Sequence, residues 1–343
     1  MRQAARSLLA AAAGAAAAHG GLRAARALTR SAGADGVLAE DRWSRVNHRG
    51  EPVTLLEGPV YAAAAAAGVL AAPALPGRLR AAGAAAALGA GAFGVYDDLC
   101  GSGDSRGIRG HVNALMQQGE VTTGAVKLAG IGAVGLLGGC LVRRGGPVAD
   151  KALAAVLIAG AANAVNLLDL RPGRAIKGAA FAALPGVLRR AACDGPRAGA
   201  RVGAANTLAF AGLGAAAALL PEDLGERAML GDAGANALGA LLGTAAAAGA
   251  RTTAGLAWRA AAMTAVTLAS EKVSFTKVIA GNPTLNAIDL WGRRPATPRL
   301  PAQSAGPGER SGGGVAASPG IDPGLAWPTP PDDPAAPGPA PRA

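Results

Sequence analysis

Acidic and amide side chains fall into three short clusters within a sequence of which only 16% is charged. The first is Gly94-Val95-Tyr96-Asp97-Asp98, closing an apolar run. If that run is helical, both carboxylates sit against the negative end of the helix dipole, which disfavours each by about 0.3–1 kcal/mol. A bound cation or proton would relieve the pair; a solvated helix end is the plainer reading. The second cluster, Asn163-Ala164-Val165-Asn166-Leu167-Leu168-Asp169, places Asn163 and Asn166 three apart, on one helix face. Amides in such a place either contact a ligand or join helices by hydrogen bonds. Arg171 and Arg174 follow in an Arg-Pro-Gly-Arg turn, and guanidinium groups match phosphate oxygens. The third, Met229-Leu230-Gly231-Asp232-Ala233-Gly234-Ala235-Asn236, enters another apolar run. Asp232 there reads either as an N-cap or as a hard-cation ligand beside free N–H groups that can take a phosphate. Lys127 lies near the same level, where it could also simply snorkel.

The background carrying these clusters is that of a membrane protein. The chain is 51% hydrophobic and 3% aromatic, whereas soluble domains carry roughly 25% charged residues. Its apolar content is mostly Ala and Gly with Leu and Val, and small residues let transmembrane helices approach closely. The formal charge is +11, but the basic residues sit in short loops without interleaved aromatics, which argues against nucleic acid. Cys100, Cys140 and Cys193 show no CxxC spacing, and His19, His48 and His111 are isolated, so neither a disulfide framework nor a zinc site is indicated.

Apolar stretches near the bilayer-spanning length of about 20 residues recur at 7–22, 58–76, 79–96, 122–142, 148–168, 175–188, 201–220, 234–250 and 253–270. The first could instead be a cleaved signal peptide, with Arg2 and Arg6 before a short apolar run. The expected fold is all-α: a polytopic membrane bundle of about nine to ten transmembrane helices. Alternating nine spans across a bilayer places every polar cluster on one side, with the loops 23–57, 97–121, 169–174, 221–233 and 271 onward. Six arginines in the loop 23–57 mark that side as cytoplasmic; Arg143–Arg144 and Arg189–Arg190 pull the other way. The expected domains are 1–295 in the membrane and 296–343 as a disordered tail of Pro, Gly, Ala and Ser, too poor in apolar residues to pack.

Taken together and in this order, these features are similar to the polyprenyl-phosphate N-acetylhexosamine-1-phosphate transferase superfamily, which includes phospho-N-acetylmuramoyl-pentapeptide transferase. The resemblance rests on Arg45-Val46-Asn47-His48-Arg49-Gly50, Asp97-Asp98, Thr122-Thr123-Gly124 with Lys127, the Asn163/Asn166 block, and Gly231-Asp232 before a Gly-rich span. It covers about residues 40–295. It implies Mg²⁺-dependent transfer of a sugar-1-phosphate from a UDP-sugar to polyprenyl phosphate, releasing UMP, at the cytoplasmic face of the cell membrane. It implies Asn166 and Asp232 as metal ligands and Asp97, Asp98 and Asp232 as catalytic residues. Asn163, Asp169, Lys127, Arg171, Arg174 and Arg49 would contact substrate. Membrane lipid is a partner, nucleic acid is not, and a homodimer is allowed.

Three stretches depart from the family pattern and bear on the sugar: Glu57-Gly58 for Gly-Gly, Leu167-Leu168-Asp169-Leu170-Arg171-Pro172-Gly173-Arg174 for an Asp-Gly pattern, and Glu271–Lys277 without a His-rich motif. Rival readings are a non-catalytic carrier-binding or scaffold protein on the same fold, and a transporter. A transporter gathers its charges at the bilayer midplane on broken helices, whereas these lie at span ends. Truncation after Ala296 is expected to leave membrane expression and activity intact, as in-gel quantitation of the membrane fraction and turnover would show; loss of either would contradict the reading of the tail.

Overall fold

A computed structural model describes residues 2–31, 36, 39–72, 75–101, 121–188 and 196–295. Arg189–Arg190, His111, Cys193 and the 296–343 tail lie outside the described residues. Nine helices correspond to the nine apolar stretches: α1 (Arg2–Ser31), α2 (Glu57–Leu70), α3 (Gly77–Cys100), α4 (Thr123–Val142), α5 (Val148–Asn166), α6 (Arg174–Leu188), α7 (Pro196–Leu224), α8 (Gly231–Gly249) and α9 (Thr253–Ser270). Two short helices follow, α10 (Phe275–Gly281) and α11 (Pro283–Leu290), in a stretch expected to be loop. Among the described residues, four helices, α3, α4, α5 and most of α7, are long and apolar enough to cross a membrane by length and composition. At 14 residues, α2 is about 21 Å long at 1.5 Å per residue, short of the roughly 30 Å hydrocarbon core.

The outward surfaces of these helices are apolar. Leu88 on α3, Leu136 and Leu137 on α4, Val156 on α5, Phe181 and Leu184 on α6 and Leu268 on α9 are all exposed. Such a belt is costly in water and natural in lipid. Trp258 and Trp291 are also exposed, the placement that Trp favours at membrane–water interfaces.

Helix α8 is the axis of the bundle. Its sequence is small and apolar all round, the mark of a helix with no solvent face, and 15 of its 19 residues are buried. It packs against α2, α3, α5 and α7. The glycines explain how near these helices come. A Cβ on Gly94 would run into the backbone of Asp232 and Ala233, one on Gly58 into the carbonyl of Leu230, and one on Gly239 into the carbonyl of Ala161. Helix α1 lies against α7 by the same device at Gly14 and Gly214.

The sequence did not announce the one β element among the described residues. Ser44–Val46 (β1) and Pro52–Thr54 (β2) pair antiparallel, Arg45 opposite Val53. Asn47 builds the turn by accepting the N–H groups of Arg49 (2.8 Å) and Glu51 (2.9 Å) at its side-chain oxygen, and Gly50 takes a positive φ of 83°. Thr54 continues the ladder to Ala228 just before α8. The hairpin therefore lies at the same end of the bundle as the α8 N-terminus. The unit Met1–Arg294 holds all of these elements.

Gly94→Ala should lower stability by about 1–3 kcal/mol, as overpacking does, while Gly132→Ala on α4, where a Cβ meets nothing within 4 Å, should not. Melting temperatures of the two variants in neutral detergent check this. Equal melting would mean that the α3–α8 contact is looser than described.

Candidate active site at the start of the axial helix

A helix that begins inside a protein leaves its first N–H groups without partners. At the start of α8 the residue before the helix, Leu230, supplies no side-chain cap. The cap comes from another helix: the Asp98 carboxylate accepts the N–H of Asp232 (3.0 Å) and of Ala233 (2.9 Å). Gly231, at φ 59°, makes room for it, since a Cβ there would press on both Asp98 oxygens and on Leu55. Arg45 of the hairpin in turn donates to the Asp98 carbonyl. Two expectations change. Asp232 is not the N-cap of its own helix, and the N–H groups expected to be open to a phosphate are taken by Asp98.

Freed from capping, Asp232 turns to Lys127. The Lys127 ammonium donates to Asp97 Oδ2 at 2.5 Å and to Asp232 Oδ2 at 2.7 Å. Lys127 is fixed one turn into α4, whose start is capped by Thr122 accepting the N–H of Ala125 at 3.2 Å. The three side chains are 14%, 17% and 26% exposed for Asp97, Lys127 and Asp232, so the pairing is shielded yet reachable. Lys127 does not snorkel; it bridges two helices. The cation that the Asp97–Asp98 pair calls for is thus supplied twice, by an ammonium for Asp97 and by a helix N-terminus for Asp98.

Asp169 follows the end of α5 and lies near the same helix start. Its Oδ2 is sealed from solvent and has no hydrogen-bond partner. Burial, and then the carboxylates of Asp223, Asp232 and Asp98, hold its carboxyl well above the usual range, with the Gly231 N–H opposing. Nearby, Glu57 is fully buried on α2 with both carboxylate oxygens unpartnered, as is Oδ2 of buried Asp223.

The remaining expected residues divide by what already holds them. Asn163 donates to Thr267 Oγ1 on α9 at 3.0 Å, which makes it a helix-joining amide here. Asn166 ends α5, half-buried, and its side chain makes no hydrogen bond among the described residues. Arg49 donates to Glu226 Oε1 at 2.9 Å and to the Arg294 carbonyl at 2.8 Å. Arg174 is buried in a bidentate pair with Asp289, at 2.8 and 2.9 Å, and also reaches Thr276. Only Arg171 among these arginines has a guanidinium without a partner among the described residues. It stands close to His48, whose pKa burial lowers to about 4, with Arg171, Arg293 and Arg49 adding to the effect and Glu51 opposing it.

Several supporting residues escaped the sequence reading. Glu226 takes Asn47 (2.9 Å) and Arg49, tying the hairpin to the α7–α8 connection. Lys177 donates to the carbonyls of Ile288, Asp289 and Trp291, closing the end of α11. A cue for α11 existed: Asn282 before Pro283 is an N-cap followed by a proline at the first helical position, and Asn282 does accept the N–H of Leu285 at 3.0 Å.

A hard cation is implied by the resemblance, and the donor set fits one in part. Asp97 and Asp232 present carboxylates whose shared partner is already a cation, Lys127, and Mg²⁺ needs only one or two carboxylates because it keeps several waters. Among the described residues no three His, Cys, Asp or Glu side chains converge as ligands. Neither a protein-family model nor a curated protein matches this chain.

The Asp169 environment gives a signed prediction. Its folded-state pKa is raised, so ionisation costs stability above the unfolded-state value of about 3.9, and the cost grows as pH rises toward the folded value. Asp169→Asn should therefore raise the melting temperature at pH 7.5, with the gain shrinking as pH falls toward 4. Thermal unfolding across that range checks it; a difference independent of pH would show that the Asp169 carboxyl is not the source.

Proposed function

We propose that the chain is a membrane glycosyl-1-phosphate transferase that moves a sugar-1-phosphate from a UDP-sugar to polyprenyl phosphate and releases UMP. The observation that carries this reading is the convergence of Asp97, Lys127 and Asp232, from α3, α4 and α8, beside the Asp98-capped start of the axial helix. Residues far apart in sequence meet at one end of the bundle, where a lipid-borne phosphate and a water-soluble nucleotide could both arrive.

Phosphoryl transfer asks a protein mainly to neutralise charge and to position the reacting groups. In this reading Asp232 and Asn166 would hold Mg²⁺, which would offset the charge of the diphosphate. Lys127 would exchange its carboxylate partners for phosphate oxygens, its ammonium being a three-donor point charge on a flexible stem. Arg171, close to His48 and Arg293, would take the distal phosphate or the uridine side. The acceptor is a phosphomonoester with a second pKa of about 6, already largely dianionic at neutral pH. No strong base is needed, and Asp97 and Asp98 act by placing Lys127 and the α8 N-terminus.

A second reading has its own support. Lys127 fills the space between the two carboxylates and Asp98 fills the helix start, which also suits a protein that binds the lipid carrier without chemistry.

The test is UMP release by purified protein given polyprenyl phosphate, Mg²⁺ and a panel of UDP-sugars. Asp232 caps nothing, so Asp232→Asn should fold and insert normally yet lose at least ~100-fold in turnover, the scale of a lost electrostatic contribution. Near-normal turnover in that variant would sink the role of Asp232. Wild-type protein that retains polyprenyl phosphate but releases no UMP from any donor would favour the carrier-binding reading.

A further inference from the structure

The end of the bundle opposite the acidic site carries a polar cavity that the function above does not use. It has a volume of about 620 Å³ and lies among the start of α3, the end of α4, the start of α5, the first turns of α7 and the α8–α9 connection. Small-molecule sites span roughly 300–1,000 Å³. Among the described residues, five arginines line it, Arg78, Arg143, Arg144, Arg201 and Arg251, against one carboxylate, Asp150. That carboxylate is buried and already accepts the Thr253 hydroxyl at 2.8 Å.

Part of this charge has a structural use. Arg143 and Arg201 both donate to the Ala250 carbonyl, at 3.1 and 3.4 Å, and so satisfy the C-terminal end of α8, where positive charge is favoured. One arginine would suffice for that. The Nε of Arg143 is sealed from solvent without a hydrogen-bond partner. Burial, chiefly, and the Arg201 charge hold Arg143 below the usual arginine range, with Asp150 opposing. The guanidinium groups of Arg78, Arg144 and Arg251 have no partner among the described residues. Like charges drawn from four separate elements repel one another around one cavity, and a bound anion would offset that repulsion.

We propose that this cavity is an anion site for a phosphate group at the membrane face opposite the acidic cluster. Several guanidinium forks can share the oxygens of one tetrahedral phosphate, each bond strengthened by charge. The cavity lies at the ends of apolar helices, the level at which lipid phosphates lie. The assignment rests on this geometry alone and is independent of the transferase reading.

The test uses full-length protein in a non-ionic detergent, titrated separately with inorganic phosphate, short-chain phosphatidylglycerol and short-chain phosphatidylcholine. Binding is followed by melting temperature and by native mass spectrometry. Arg144 and Arg251 are exposed and cap nothing, so Arg144→Gln/Arg251→Gln should fold as the wild type does. It should bind the anionic probe at least ~10-fold more weakly, as expected when charge-assisted contacts are lost. Arg23→Gln/Arg30→Gln, at the other end of the bundle, should not. Phosphatidylglycerol binding tighter than inorganic phosphate identifies the phosphate as a lipid headgroup's; equal binding identifies a free anion, and either supports the site. Wild-type affinity in the Arg144/Arg251 variant overturns it, as does phosphatidylcholine binding as tightly as phosphatidylglycerol.

Discussion

The start of α8 is the constraint around which this end of the molecule is built. A helix that begins within a bundle must have its first N–H groups satisfied, since an unpaired buried donor costs about 1–3 kcal/mol. Here the acceptor is a carboxylate brought from α3, so the charge of Asp98 and the dipole of α8 answer each other. That requires α3 and α8 to approach within backbone contact at Gly94. It also fixes the turn at Gly231 and leaves Asp232 pointing away from its own helix start, toward Lys127. The geometry of the acidic site is thus a consequence of capping one helix from another.

The hairpin and the terminal helices serve the same end. Arg45 binds the Asp98 carbonyl, and the strand ladder runs through Thr54 to Ala228, two residues before Leu230. Glu226 holds the hairpin turn through Asn47 and Arg49. It does so from a positive φ of 54°, a conformation a non-glycine residue adopts only when its surroundings compensate. The terminal segment is fastened by Arg174 and Arg293 on Asp289, a nearly buried ionic triad. Removing one member of such a group leaves an uncompensated charge, so these pairings read as fastenings for the loops around the site.

Much of the architecture was legible because it is written locally. Apolar runs of spanning length gave nine helices in the right order, and simple alternation brought Asp97, Lys127 and Asp232 to one end, where they do meet. What could not be read was partnership. Asp98 and Ala233 are 135 residues apart, and no periodicity distinguishes a carboxylate that caps a distant helix from one that faces water. Asp232 was weighed as the cap of its own helix because that pattern is local. The hairpin was missed since three-residue strands carry too little alternation to stand out from a basic loop. Arg174 looked like a phosphate ligand from its turn alone, and its true partner, Asp289, sits 115 positions away.

The same sorting narrows which basic groups can meet a ligand. Arg49, Arg174, Lys177 and Arg293 are each bound to a carboxylate or to backbone carbonyls, and drawing one away would expose a buried partner. Lys127 differs in kind. Its two carboxylates come from helices already joined by the Asp98 cap and by glycine contacts, so the ammonium can leave them without the helices parting. Arg171 differs again, lying beside His48, whose pKa is lowered chiefly by burial and further by the charges of Arg171, Arg293 and Arg49. The positive groups Arg171, Arg293 and Arg49 thus share one end of the bundle with the carboxylates of Asp97, Asp98 and Asp232.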